Sequence, residues 1–189
     1  MDRHTLESAA ARYSYLRGLV GIPGGLAFIA AALGNNAVGP FAHDWFFVLV
    51  IVALGLLALA ITRYYNDHYG RLNPTSRQQA RLAIAIVIGI AAMVGGAFLL
   101  RDLPVNGIAV SFAVLMLVSY AITVGLSPHH VIIWGALLIA GALPVWNGDD
   151  PSNTGLVMCG VALIASGVLD HRLFVRAFGP PTVAADAQA

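Results

Sequence analysis

Charge is scarce in this chain. Asp, Glu, Lys and Arg make up 10% of its 189 residues, against about 25% in ordinary soluble domains. Hydrophobic residues make up 59%. A soluble core cannot absorb that much apolar surface, whereas bilayer hydrocarbon is itself an apolar solvent. Lysine is absent, and all ten basic residues are arginines. They are spread along the chain rather than massed in a patch, which excludes nucleic acid as a partner. The single cysteine, Cys159, excludes an intramolecular disulfide. It has no charged or histidine neighbour in sequence to activate it, so it reads as a small packing residue. No Asp, Glu, Lys, Arg or His lies at the centre of any apolar run. Ion-coupled pumps and voltage sensors carry their charge on such groups, so those mechanisms are disfavoured. The chain also lacks a phosphate-binding glycine loop, a serine or cysteine triad arrangement and a zincin motif. No cofactor is evident.

Six apolar segments fill most of the length: Tyr13–Leu33, Trp45–Tyr65, Arg81–Leu100, Val105–Leu126, His130–Trp146 and Thr154–Leu173. At about 1.5 Å rise per residue each approaches the roughly 30 Å of a hydrocarbon core, the fifth falling short. Nine of the ten arginines fall on one side of this pattern, and only Arg101 on the other. Arginine near membrane ends is retained in the cytoplasm. The expectation is an all-α polytopic membrane protein with six transmembrane helices and both termini cytoplasmic, in the inner membrane of the cell.

Residues 1–12 then form a cytoplasmic N-terminal segment, 13–178 the helical bundle and 179–189 a disordered tail. The first segment resembles a secretory signal in its arginines and its Ala30-Ala31-Ala32 run. Its length of about 21 residues instead suits a retained spanning helix. Turn sequences at Gly34-Asn35-Asn36, Gly39-Pro40 and 147–151 break the segments on one side, and Asn73-Pro74-Thr75-Ser76 on the other. Ser76 with Gln79 makes a capping box for the third helix. Small residues four apart (Gly21 and Gly25, Ala91 and Gly95, Ala136 and Ala140, Ala162 and Ser166) mark close helix contacts, within one bundle or between copies in a homo-oligomer.

Three groups of residues carry chemistry. Asp67-His68 follows the second helix, His129-His130 opens the fifth, and Asp170-His171 closes the sixth. Topology puts all six at one membrane depth, at the cytoplasmic mouth. Imidazole with carboxylate is a ligand set for zinc-like ions and a proton relay, although the spacings match no metal signature. The plainer reading pairs Asp170 with an arginine and leaves the histidines at headgroup level. A second group is Pro23, Gly24 and Gly25, which interrupt the first segment near its middle, as broken transporter helices do. With it goes a polar stripe on the fourth helix, Ser111, Ser119, Tyr120 and Thr123, facing a path or simply a neighbouring helix. The third group is Tyr64, Tyr65, Arg71, Arg77 and Arg81, a surface for anionic lipid or a cytoplasmic protein partner.

Three functional readings follow. One is a small-solute permeation or transport component. Another is a membrane-embedded binding or accessory protein acting through its arginine-rich face. The least favoured is an intramembrane enzyme built on the Asp-His cluster.

Overall fold

The computed structural model describes residues 17–69, 76–100, 102–123, 125–144 and 150–179. Within them the chain is all-helical. A 3-10 turn, Gly18–Val20, leads into α1 (Gly21–Asn35). There follow α2 (Asp44–Tyr69), α3 (Ser76–Leu99), α4 (Gly107–Thr123), α5 (Pro128–Ala142) and α6 (Pro151–Phe178). These helices occupy the six apolar segments. Three stretches are long and apolar enough to cross a membrane: Gly18–Asn35, Asp44–Tyr69 and Pro151–Phe178. At 15 residues α5 is short, about 22 Å at the usual rise.

The helix starts follow local chemistry. Proline stands in the first turn of both α5 and α6, where a backbone N–H has no partner to lose. Asp150 caps α6 by accepting from the Asn153 N–H at 3.1 Å. The same rule corrects the expectation for Pro23. The α-helix begins at Gly21, so Pro23 lies in its first turn rather than at a mid-helix break.

The most extensive helix pair is α1 with α6, running antiparallel. Glycines make it close. A Cβ built on Gly25 would lie 2.6 Å from the Gly160 carbonyl oxygen, and one on Gly160 would lie 2.6 Å from that of Gly25. Gly18 and Gly167 repeat the arrangement one heptad on, each one's Cβ position running into the other's carbonyl oxygen. Gly95, from the expected Ala91–Gly95 pair, faces open space; the close approach on α3 is Gly96, against Ser111.

Helix α6 also packs against α4 and α5, which pack on each other, and α3 lies along α4. Between α4, α5 and α6 sits the core: Ala109, Phe112, Ala113, Trp134, Leu137, Cys159 and Ala162. Cys159 is fully buried there. Helix α2 is anchored at its end by Tyr65 and Phe174, with Tyr64 and Tyr69 packed around them. Much of its remaining surface is exposed and apolar, including Val48, Val52, Leu56 and Leu59, which suits lipid as the surrounding solvent.

The bundle has two unlike ends. At one, α1 begins and α2 and α6 finish, beside Arg17, Arg63, Arg172 and Arg176. At the other, side-chain amides tie the helices. Asn35 Nδ2 donates to Asn153 Oδ1 at 2.8 Å, and Asn153 Nδ2 donates to Asp150 Oδ2. Buried Asn106 donates from Nδ2 to the Pro151 carbonyl at 2.6 Å and from its backbone to Gly141 O at 2.7 Å.

A pair of substitutions tests the glycine contact. Gly25→Ala drives a methyl into a backbone carbonyl that cannot yield cheaply, and should cost about 1–3 kcal/mol. Gly24 has nothing within 4 Å of its Cβ position, so Gly24→Ala should be neutral or stabilising. Unfolding of the two variants in mixed micelles decides it, and equal stability would remove the α1–α6 contact from this account.

Candidate functional site

At the arginine-bearing end three helices bring their polar residues to one point. Asp170, in the last third of α6, is almost wholly buried, with 3% of its side chain accessible. His129 and His130 lie in the first turn of α5, after Pro128. Tyr120 lies near the end of α4. His129 Nε2 approaches Asp170 Oδ1 at 2.8 Å and His130 Nε2 approaches the same oxygen at 2.9 Å. The other oxygen, Oδ2, accepts from the Tyr120 hydroxyl at 3.2 Å, and Ser166 Oγ lies 3.4 Å from that hydroxyl.

These contacts impose a hydrogen-bond pattern. An ionised carboxylate only accepts, so both imidazoles must present Nε2–H to it. Each charge-assisted bond is worth about 1.5–3 kcal/mol. Three of them offset a desolvation cost of several kcal/mol for the carboxylate. The expected arginine partner for Asp170 is replaced by this arrangement: among the described residues its partners are His129, His130 and Tyr120.

Rings hold the imidazoles in place. Tyr120 stacks on His130 with centroids 3.7 Å apart and planes 26° from parallel, and the Trp134 ring lies 6.4 Å from Tyr120 in the same orientation. The His129 and His130 rings are 4.0 Å apart. His130 Nδ1 is buried without a hydrogen-bond partner among the described residues. The stack, rather than a hydrogen bond on the far nitrogen, therefore sets its orientation. His129 keeps 15% of its side chain accessible and is the route by which the centre meets its surroundings.

The remaining candidates are distributed differently. His171 Nδ1 hydrogen-bonds with the Tyr65 hydroxyl at 2.8 Å, fixing α2 to α6. His68 donates from Nδ1 to the Tyr64 carbonyl at 2.9 Å, within its own helix, and stacks near the Tyr64 ring. Asp67 is exposed. On α4, Ser111 is buried against α3 at Gly96, whereas Tyr120 turns toward α6. Ser119 is half-buried. Thr123 closes the helix, its side chain outside the described residues. Gly25 meets Gly160 on α6, and Gly24 faces open space. Arg71 lies outside the described residues; Arg77 and Arg81 fall on the first turns of α3, their side chains likewise outside.

Sequence reasoning placed Asp170, His129 and His130 at one depth but assigned Tyr120 to a different group. The signal that joins them is spacing. Tyr120 and Asp170 sit toward the ends of the consecutive even helices α4 and α6 on either side of α5 in sequence, and Ser166 stands one turn from Asp170.

Comparison with protein-family models, curated proteins and solved structures finds no match to this chain.

The hydrogen-bond pattern predicts a graded response. Asp170→Ala leaves buried donors without an acceptor and should cost about 3–5 kcal/mol. Asp170→Asn keeps one oxygen for the histidines and sets an amide against a hydroxyl that can turn to accept, so it should cost clearly less. Thermal unfolding in nanodiscs checks the order; an alanine variant as stable as the parent would mean that the carboxylate is not buried and bonded as described.

Proposed function

We propose that this chain is an inner-membrane protein of six spans, with both termini cytoplasmic, that binds a small cation at the Asp170 centre. The observation that carries the reading is a buried carboxylate whose described partners are two imidazoles and a phenol, with no arginine among them. Ionisable residues buried inside membrane bundles are expensive and are retained for ligand or ion handling. Here two imidazole nitrogens and a carboxylate oxygen converge on one point, a donor set for a cation.

The arginines support the orientation. Arg17, Arg63, Arg172 and Arg176 lie at the end where the centre sits, so a cytoplasmic placement of that end opens His129 to the cytoplasm. The packed core supports binding over passage. Phe112, Ala113, Trp134 and Cys159 lie between the α4, α5 and α6 backbones and are almost wholly buried. Passage to the opposite end would require that core to open.

Two measurements address the two parts. In a Cys159→Ala background, His43→Cys should react with an impermeant maleimide added to intact spheroplasts. Arg176→Cys should react only after lysis. The reverse pattern would invert the orientation. For the site, the purified protein in nanodiscs is heated in the presence of sodium, potassium, magnesium, calcium, zinc, cobalt and a small organic amine in turn. At least one of these should raise the unfolding temperature of the parent and fail to do so in Asp170→Asn. If none does, the cation-binding reading is wrong.

A further inference from the structure

We infer that the cation is a first-row divalent transition ion, held by Nε2 of His129, Nε2 of His130 and Oδ1 of Asp170. The inference rests on the cation-binding reading and names the ion class. The three donor atoms come from residues whose ligand atoms all lie within 4.8 Å of one another. They come from two helices, so the site exists only when α5 and α6 are packed.

The donor set selects the ion. Calcium takes six to eight oxygen ligands and magnesium a near-octahedral oxygen shell. This centre offers one free carboxylate oxygen, because Tyr120 engages the other, and two imidazole nitrogens. Copper(I) favours thiolate or thioether, and Cys159 lies in the apolar core rather than in the cluster. Two imidazoles with one carboxylate suit zinc, cobalt(II), iron(II) and manganese(II), with at least one position left for water or a solute.

The geometry needs little adjustment. Ligands about 2.0–2.1 Å from a tetrahedral ion stand roughly 3.3 Å apart. The two nitrogens now lie 2.8 and 2.9 Å from Oδ1. Each must part from the oxygen by about half an ångström. On binding, each imidazole passes to its Nδ1–H tautomer, giving up the Nε2 proton and taking one at Nδ1, so the hydrogen bonds to Oδ1 are exchanged for coordinate bonds from neutral rings. Tyr120 then acts as a positioning residue twice over. Its hydroxyl holds Oδ2 and keeps the carboxylate monodentate, and its ring fixes the plane of His130. Groups that orient ligands in this way typically contribute about 10–100-fold in metal affinity.

Cobalt is the probe. Tag-free protein in nanodiscs, stripped with chelator, is titrated with Co2+ and followed in the visible, where four- or five-coordinate cobalt absorbs strongly. The expected result is a saturable band at one ion per chain that Zn2+ abolishes. His129→Gln and Asp170→Asn should lose the band. His129 is partly accessible, so its variant tests the site without emptying the core. Tyr120→Phe should keep the band at about 10–100-fold weaker affinity, and His68→Gln should bind as the parent does. Absence of a saturable band, or a band that survives both His129→Gln and Asp170→Asn, overturns the assignment. If cobalt and zinc fail while sodium, potassium, magnesium, calcium or the amine stabilises the protein through Asp170, only the ion class is refuted. If no cation stabilises it, both readings fall.

Discussion

The backbone-to-backbone approach of α1 and α6 at Gly18–Gly167 and Gly25–Gly160 is the contact on which the remaining packing depends. In lipid, helices gain nothing by hiding apolar side chains from their surroundings, so association rests on close packing and hydrogen bonds. Glycine removes the side chain that would keep two backbones apart. Here the contact is reciprocal, with each glycine occupying the space a partner's Cβ would need. The same contact shelters the site. A Cβ on Gly18 would lie 2.6 Å from Asp170 Cβ, so the start of the first helix covers the carboxylate only because that residue is glycine.

With α1 spent on one face of α6, the adjacent face is left to α4 and α5. That face carries Cys159, Ala162 and Ser166 in the core and Asp170 at the end. Small residues bring α4 and α5 near enough for short polar side chains to meet, and the hydrogen bonds at Asp170 then hold the three helices in register. At the far end Asn106 and Asn153 do the same through backbone carbonyls and Asp150. Each end is therefore closed by polar contacts and the middle by shape.

Much of this was legible in the chain and some was not. The apolar segments located six helices, because hydrocarbon thickness and apolar run length are coupled. Depth was legible too: any Asp or His at the end of an even segment or the start of an odd one lies at one level. Partner choice was not, because it depends on rotation about helix axes. His68 turns to its own helix and His171 to Tyr65, although both share the depth of His129 and His130. A search for small residues four apart caught Gly25 but missed its heptad partners. Gly18 and Gly25 answer Gly167 and Gly160, each pair summing to the same number, as an antiparallel contact requires. The reading of Pro23 failed for a related reason: an apolar run extends beyond the helix it contains, so its midpoint is not the helix's.

Adjacent histidines on an α-helix point about 100° apart, so two of them rarely serve one acceptor. They do so here because α6 passes alongside at that level and places one carboxylate oxygen within 2.8 Å of His129 Nε2 and 2.9 Å of His130 Nε2. Moving the pair one turn into α5 would keep its face but carry it about 5.4 Å along the axis, away from Asp170 and toward the apolar core at Trp134. The proline, by starting the helix at that point, fixes where the imidazoles are presented, and the Tyr120 ring fixes the plane of the deeper one. The centre is thus determined by where α5 begins as much as by which residues it contains.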